Sequence, residues 1–298
     1  MKSMKNLFGG ISTLMIAFVL ILASCNKSND LTSSLDSQSL NNEATMDAQQ
    51  DETADIATSA LSANAVAVGG RVEDRDDRLA CATVTKDSTN TKEAGKITLT
   101  FKADCKDDDG NVRTGKMIIT WSGGRWYVPG SVHTIKLEGY SINGVSIEGV
   151  RVLTNISTEA SPLTWTISGA HKSTWPDGTF SERTVNKTRQ WVRSSTNPRE
   201  DKIIISQTNS SVAAASGINR HGNTYSVSIT TPLQYFASCG RRVKIPVIGV
   251  KVVTIGNPST GSKTYTVDFG NGTCDNKYTV TKDGVTKEFT GKNDSSAD

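Results

Sequence analysis

The sequence predicts an all-β protein: an antiparallel meander of hairpins that forms a sandwich or a strongly coiled sheet, after a signal peptide and a flexible tether. From residue 71 to residue 289, β-branched runs bounded by turn residues recur, and no apolar pattern with helical spacing is sustained. Asp-Gly and Asn-Gly dipeptides join several of these runs, and such dipeptides supply the positive φ of a tight hairpin turn. The composition, 36% hydrophobic and 21% charged, excludes collagen-like, coiled-coil and multi-spanning membrane classes.

Residues 1–24 are expected to form a signal peptide. Lys2 and Lys5 precede the uncharged run Leu7 to Leu22, which has the anatomy of an export signal and is short for a transmembrane helix. The run ends in Leu22-Ala23-Ser24-Cys25, which resembles the lipobox of bacterial lipoproteins. This resemblance implies that Cys25 becomes the first mature residue and that its acyl chains, such as palmitate, bind membrane lipid. A plain secretory signal and an uncleaved membrane anchor are the alternatives.

Residues 25–68 are expected to be the lipidated cysteine followed by a flexible acidic tether, since Ser, Asn, Asp, Thr and Ala dominate them. Met46, Ile56 and Leu61 are the only large apolar residues between positions 43 and 61, so any helix there would be weak and exposed to solvent. Residues 26–68 carry a net charge of −6, and the whole chain carries +3. Because the signal segment contributes +2, residues 69–298 carry +7, which suits a polyanionic neighbour such as acidic polysaccharide.

The β-rich body is expected over residues 69–298. It is one large β domain or two, with a seam near residues 194–201, where Ser, Thr, Asn and Pro interrupt the strand pattern. The candidate strands are Leu79 to Thr85, Lys96 to Asp104, Lys116 to Ser122, His133 to Ile142, Val145 to Thr154, Leu163 to Ser168, Phe180 to Val192, Lys202 to Thr208, Thr224 to Thr230, Arg242 to Ile255, Lys263 to Phe269 and Lys277 to Thr290.

The hairpin at Asn143-Gly144 carries the most information about sheet shape. Its apolar residues change from one face to the other at Gly139 and Gly149. Glycines at such a change commonly mark a bulge or a sharp coil, which favours a sandwich or a strongly coiled sheet over a flat one. A two-residue turn predicts that Ile142 pairs with Val145, Tyr140 with Ile147, Leu137 with Val150 and Ile135 with Val152.

Four cysteines remain after Cys25, and an even number in an exported chain predicts disulfides. Four cysteines allow three pairings. Hairpin geometry favours Cys81–Cys105 and Cys239–Cys274, because the midpoint of each pair falls near a predicted turn. Metal ligation by these thiols is disfavoured, since neither a Cys-x-x-Cys motif nor clustered histidines are present.

An Asp-rich turn over residues 104–111 is the candidate metal site. Asp104, Asp107 and Asp109 could supply the several oxygens that a hard cation such as calcium needs. The match to an EF-hand loop is incomplete, because no Glu closes the loop at the required distance. The alternative is an ordinary exposed hairpin turn. No other cofactor is expected.

Motifs for catalysis are scarce. His133, His171 and His221 lie far apart, and the sequence has neither a G-x-S-x-G elbow nor a phosphate-binding glycine loop. A non-catalytic role is therefore favoured. The alternative is a hydrolase acting on carbohydrate or peptide, which would need two carboxylates facing a cleft.

Three tryptophans and two arginines form the candidate ligand-binding surface. Aromatic faces beside cations suit sugar rings and anionic groups. A two-residue turn at Asp177-Gly178 would put Trp165 and Trp191 on opposite faces, whereas a three-residue turn would put them on one face. The alternative is that the tryptophans are core residues. Nucleic acid is not expected as a partner, because the aromatic-basic mixture is too sparse. The candidate residues are Trp165, Trp175, Trp191, Arg183 and Arg189.

Four stretches, residues 81–85, 107–116, 140–149 and 268–275, resemble those of all-β cell-envelope lipoproteins of Bacteroidota, a family without an assigned activity. The resemblance implies a location in the bacterial envelope, at the outer membrane on either its periplasmic or its surface face, and transfers no catalytic residue. We therefore expect a lipid-anchored envelope protein with a structural or ligand-binding role, with polysaccharide or envelope proteins as partners. An envelope assembly accessory is a further alternative, and it would have protein partners.

Overall fold

The computed structural model describes residues 34–64, 76–80, 82–103, 106–240, 245–257 and 261–290, and these described residues belong to one compact unit. The described part contains one long helix, α1 (Ser34–Asn64), and fourteen strands. The predicted all-β class, built as an antiparallel meander, is confirmed. The strands are β1 (Ala82–Lys86), β2 (Gly95–Phe101), β3 (Arg113–Ser122), β4 (Val132–Ile142), β5 (Val145–Asn155), β6 (Leu163–Thr174), β7 (Phe180–Val192), β8 (Lys202–Gln207), β9 (Ala215–Ile218), β10 (Thr224–Phe236), β11 (Ile248–Asn257), β12 (Gly261–Asn271), β13 (Lys277–Lys282) and β14 (Val285–Thr290).

All fourteen strands belong to one antiparallel sheet in which neighbours in the chain are almost always neighbours in space. The exception is β8 with β9. These two short strands occupy one place between β7 and β10, because each of them pairs with both. The sheet runs unbroken across the predicted seam at residues 194–201, since β7 and β8 pair on either side of it. Among the two predicted shapes, the described strands therefore form a single sheet and not a two-sheet sandwich.

The hairpin of β4 and β5 bends at a bulge, as predicted. Ile142 pairs with Val145 and Tyr140 with Ile147, and the register then shifts between Leu137 and Tyr140. The pairs predicted beyond this point are wrong by one residue, because the bulge places two residues, Glu138 and Gly139, opposite the single residue Glu148. Ile135 consequently lies opposite Arg151, and it stays buried on the same face as Tyr140.

Glycine is required where this bulge meets β3. Gly115 has a φ of +81°, and a Cβ built on it would lie 2.0 Å from the backbone oxygen of Gly139. No side chain fits at that distance, so the close approach of β3 to the bulge depends on the missing Cβ.

The tether prediction is wrong for residues 34–64, which form α1. Met46 and Ile56, expected to be exposed, are 1% and 0% accessible to solvent. Ala54, Ala57 and Ala60 are also buried and belong to the same apolar cluster as the buried side chains of the strands. The helix is stabilised by this tertiary packing and not by an apolar stripe of its own.

The core lies between α1 and one face of the sheet, which we call the inner surface. Alternation along the strands puts their buried side chains on this face, and these form one apolar cluster with the alanines and Ile56 of α1. Representative members from successive strands are Leu99, Met117, Ile135, Ile147, Ile167, Val185, Val227, Val253 and Tyr265.

The predicted disulfide Cys239–Cys274 is present, with the two Cα atoms 5.3 Å apart. It joins a 3₁₀ turn that follows β10 to the loop between β12 and β13. The predicted pair Cys81–Cys105 and the predicted lipidation site Cys25 lie outside the described residues.

Candidate functional site

A group of basic side chains interrupts the apolar inner surface. Six cations project from β3, β5, β7 and β11 toward α1, and each contacts a carboxylate of the helix. Strand alternation places them there, because each occupies an inward position of its strand. We call them the inner cations: Arg113, Arg151, Arg183, Lys187, Arg189 and Lys251.

Three inner cations converge on Asp47. Arg183 and Lys187 hydrogen-bond to its Oδ1, and the Nζ of Lys251 lies 3.4 Å from its Oδ2. Lys251 also bonds the carboxylate of Glu43, whose backbone oxygen accepts a 3.1 Å hydrogen bond from Arg183. Burial of the Asp47 carboxyl opposes its ionisation, but the three cations outweigh that effect and hold the pKa of Asp47 well below its ordinary value. The carboxyl is therefore an anion at neutral pH.

The remaining inner cations continue along the helix. Arg151 donates to the backbone oxygen of Gln50 and lies 3.3 Å from Asp51, and Arg189 donates to Asp55 at 2.7 Å. Arg113 contacts Glu52. The helix acids at positions 43, 47, 51 and 55 recur every four residues, which places them along one side of α1 over about 18 Å. The inner cations that contact these four acids therefore follow the same spacing along the sheet.

Amide side chains of α1 reach the centre of the sheet. Ser173 donates to Gln49 at 2.9 Å, and Gln50 contacts Nδ1 of His171. Burial, together with the charges of Arg183 and Arg151, lowers the pKa of His171 to about 3, so the imidazole is neutral. A cavity of about 20 Å³ adjoins these groups, which is room for one water molecule.

Several buried polar atoms of the inner surface have no hydrogen-bond partner among the described residues. These include Nε of Arg113, Arg151 and Arg183, Nε2 of His171 and the hydroxyl of Tyr225. The side chains of the three arginines are 3%, 7% and 0% exposed, so bulk water does not compensate them. A guanidinium offers five N–H donors, more than the carboxylates of α1 use at these sites.

Of the three tryptophans predicted as a ligand surface, Trp165 and Trp175 are buried and Trp191 is partly buried. Trp165 pairs with Arg189 and Leu163 with Trp191, which is the register of the three-residue alternative, so the two tryptophans share a face. That face is the inner surface. Both rings stack on Trp126 from the loop between β3 and β4, at centroid distances of 5.7 Å.

Trp175 is also interior, at 4% exposure, and the guanidinium of Arg220 covers its ring at 4.4 Å. Arg183 and Arg189, predicted beside the tryptophans on a binding surface, instead contact α1. The structure therefore does not form the exposed aromatic surface that the sequence suggested.

The Asp-rich turn uses its best candidate ligand internally. The carboxylate of Asp107 accepts from Arg113 at 2.5 Å and from the backbone N–H of Asn111 at 2.7 Å. Asp104 lies outside the described residues, and Asp109 stands on the exposed part of the turn. Within the described ranges, no three His, Cys, Asp or Glu side chains are grouped as a metal ion requires.

The comparisons with known proteins add no relative: the chain matches no protein-family model, no curated protein and no solved structure. No helix in the described part of the chain combines the length and apolar character needed to cross a bilayer.

Sequence reasoning missed the inner cations because it assigned their partners to a tether. Two signals could have found them. Acids recur every four residues in residues 43–55, and cations occupy alternate, inward positions of β7 at residues 183, 187 and 189.

Proposed function

We propose that this protein is a lipid-anchored protein of the bacterial cell envelope with a non-catalytic, ligand-binding role, and that its ligand is anionic. The observation that carries the ligand class is the row of six cations on the inner surface, of which all but Arg189 are buried. The envelope location is supported by the signal-peptide anatomy, the Leu22-Ala23-Ser24-Cys25 motif and the resemblance to Bacteroidota lipoproteins.

Stability alone is a poor reason for these cations. Desolvating a buried ion pair offsets most of its Coulomb attraction, and well-packed apolar residues of similar volume often stabilise a fold as well or better. An apolar inner surface would hold an apolar helix without that cost. We infer that the inner cations bind an anionic ligand, and that α1 occupies the surface where this ligand binds.

Ligand binding can be tested with a panel of anionic and neutral polymers, including acidic polysaccharide, polyglutamate and neutral glycans. Lys187→Met removes one inner cation, and Lys172→Met, which removes an exposed lysine paired with Glu182, is the matched control. We expect anionic polymers to bind more tightly than neutral ones. Lys187→Met should weaken the binding of anionic polymers, and Lys172→Met should leave it unchanged. Equal binding of neutral and anionic polymers would contradict the proposal.

The anchor can be tested by feeding cells a labelled fatty acid. The chain should incorporate label and sediment with membranes, and Cys25→Ala should lose both properties. A Cys25→Ala chain that still incorporates label, or that still sediments with membranes, would refute the anchor. Neither result would bear on the ligand-binding role.

A second candidate function, an accessory in envelope assembly, is favoured by one observation. The inner surface packs against side chains of α1 from Leu40 to Leu61, so it can accept a helix from a partner protein.

A further inference from the structure

We propose that the inner surface is a receptor for an acidic helix supplied by another protein, and that α1 is the intramolecular helix that such a partner displaces. This inference rests on the proposed binding role and specifies its ligand: a helix with carboxylates every four residues on one side.

The spacing of charges selects a helix over other anions. Glu43, Asp47, Asp51 and Asp55 meet their cations at successive turns of α1, and i, i+4 side chains lie on one side of a helix about 6 Å apart. The cations that contact these four acids come from three strands, β5, β7 and β11, so the fixed sheet determines their spacing. A flexible polyanion would lose conformational entropy to match it, whereas a helix matches it already.

The way α1 is held makes it replaceable. Its contacts with the sheet combine small alanines with charged and amide groups, and only Met46, Ile56, Leu40 and Leu61 contribute large apolar side chains to the interface among its described residues. The side chains of Asp47, Asp51 and Asp55 are 16%, 26% and 44% exposed, so added salt screens these ion pairs in part and weakens the attachment of α1.

The inner surface is not fully satisfied by α1. The Nε atoms of Arg113, Arg151 and Arg183 and the hydroxyl of Tyr225 are buried, and no described residue supplies them with a hydrogen-bond partner. Each such atom costs free energy that a better occupant recovers. A partner helix with additional side-chain acceptors, for example Asn or Gln beside its carboxylates, would satisfy these donors and so outcompete α1.

Eleven residues, 65–75, connect α1 to the next described residue. Fully extended they span about 35 Å, which is enough chain for the helix to leave the inner surface while it stays covalently attached.

The experiment exchanges α1 in the complete chain. A specific protease site is placed within residues 65–75, the folded protein is cleaved there, and a fluorescent peptide of residues 34–64 is added. Anisotropy then reports whether the peptide enters the cleaved protein. The uncleaved protein is the control for an occupied surface. Competitors are a peptide with Glu43→Gln, Asp47→Asn, Asp51→Asn and Asp55→Asn, a peptide of identical composition with its acids moved off the four-residue spacing, and polyglutamate.

We expect the labelled peptide to enter the cleaved protein, faster as salt is raised, and to enter the uncleaved protein far less. The neutral and rearranged peptides should compete at least about tenfold more weakly, because each leaves buried cations unpaired. Lys187→Met should weaken peptide binding, and Lys172→Met should leave it unchanged.

Three results would overturn the inference. They are a helix that never exchanges at any salt concentration, a rearranged peptide that competes as well as the native one, and polyglutamate that displaces α1 better than the helical peptide does. The last result would leave the proposed anion-binding role intact, while failure of every anion to bind would remove both. The cleaved wild-type chain needs no substitution on the inner surface, so a variant that fails to fold does not decide the outcome.

Discussion

Asp47 is the residue on which the inner surface depends most. Its carboxylate contacts three cations, Arg183 and Lys187 of β7 and Lys251 of β11, which would otherwise repel one another. Removing its charge leaves those cations buried and repelling each other, because Glu43, also on α1, is the one other carboxylate that contacts them among the described ion pairs.

Asp47→Asn is expected to lower the free energy of unfolding by about 2–3 kcal/mol, toward the lower end for a broken buried pair because the Asp47 side chain is 16% exposed. Asp55→Asn is the matched control. Its carboxylate is 44% exposed and contacts one arginine, so we expect a loss of about 1 kcal/mol or less. Urea denaturation of both variants measures the difference. Equal losses would show that the convergence of cations on Asp47 has no energetic role.

The free energy of unfolding should fall as the pH drops from about 6.5 to 4. His133 is 4% exposed, and burial lowers its pKa to about 4. The unfolded chain, with an ordinary histidine pKa of about 6.5, therefore takes up the proton first. This contribution is present above pH 6.5 and decreases through that window, at a slope of up to about 1.4 kcal/mol per pH unit.

His133→Leu should remove that part of the slope, as measured by denaturation at a series of pH values. The same series on His221→Gln, a change at an exposed turn, is the control. A slope unchanged by His133→Leu would contradict the assignment.

At the scale of elements, hairpins were predictable and the helix was not. Asn143-Gly144 and the glycines at 139 and 149 predict a turn and a bulge from local sequence, and both are present. α1 was missed because its partners lie far away in the chain: Asp47 is 136 residues from Arg183. A local sequence pattern does not show such long-range contacts, so the polar composition of residues 34–64 predicted a tether.

The candidate site shows the same division. The shared face of Trp165 and Trp191 was one of two alternatives left open by turn length, and the register decided between them. Their burial could not be predicted, because it depends on Trp126 from a separate hairpin loop.

The bulge gives an element-scale prediction. Gly115→Ala should destabilise the fold by more than the roughly 1–2 kcal/mol that a left-handed backbone costs an L-residue, because the added Cβ would lie 2.0 Å from the Gly139 oxygen. Gly178→Ala is the matched control, since Gly178 has a φ of +82° with nothing within 4 Å of a built Cβ. Thermal unfolding of both variants separates the clash from the backbone cost. Indistinguishable melting temperatures would show that β3 and the bulge can move apart freely.

At the scale of the molecule, one sheet built of sequential neighbours surrounds a core closed by α1. The Cys239–Cys274 bridge links the end of β10 to the loop after β12, across β11. It therefore ties together the C-terminal third of the sheet, including β11, which carries Lys251.

The double change Cys239→Ser, Cys274→Ser should lower the free energy of unfolding by about 3–4 kcal/mol. The reason is that a crosslink over a 35-residue separation restricts the unfolded chain, and removing it restores the conformational entropy of that chain. Denaturation under oxidising conditions measures the loss. Peptide mapping of the wild-type protein checks the pairing first. A loss below about 1 kcal/mol would mean that the bridge does not constrain the unfolded chain.

The position of α1 also determines the order in which the fold can be completed. The helix precedes every strand in the sequence, yet the cations that neutralise it are distributed from β3 to β11. Synthesis proceeds from the N-terminus, so the helix acids emerge before their partners: 61 residues separate Glu52 from Arg113, and 208 separate Glu43 from Lys251. A nascent chain that ends before Arg113 would expose the whole acidic segment to water, and a chaperone that binds the nascent chain would meet it there.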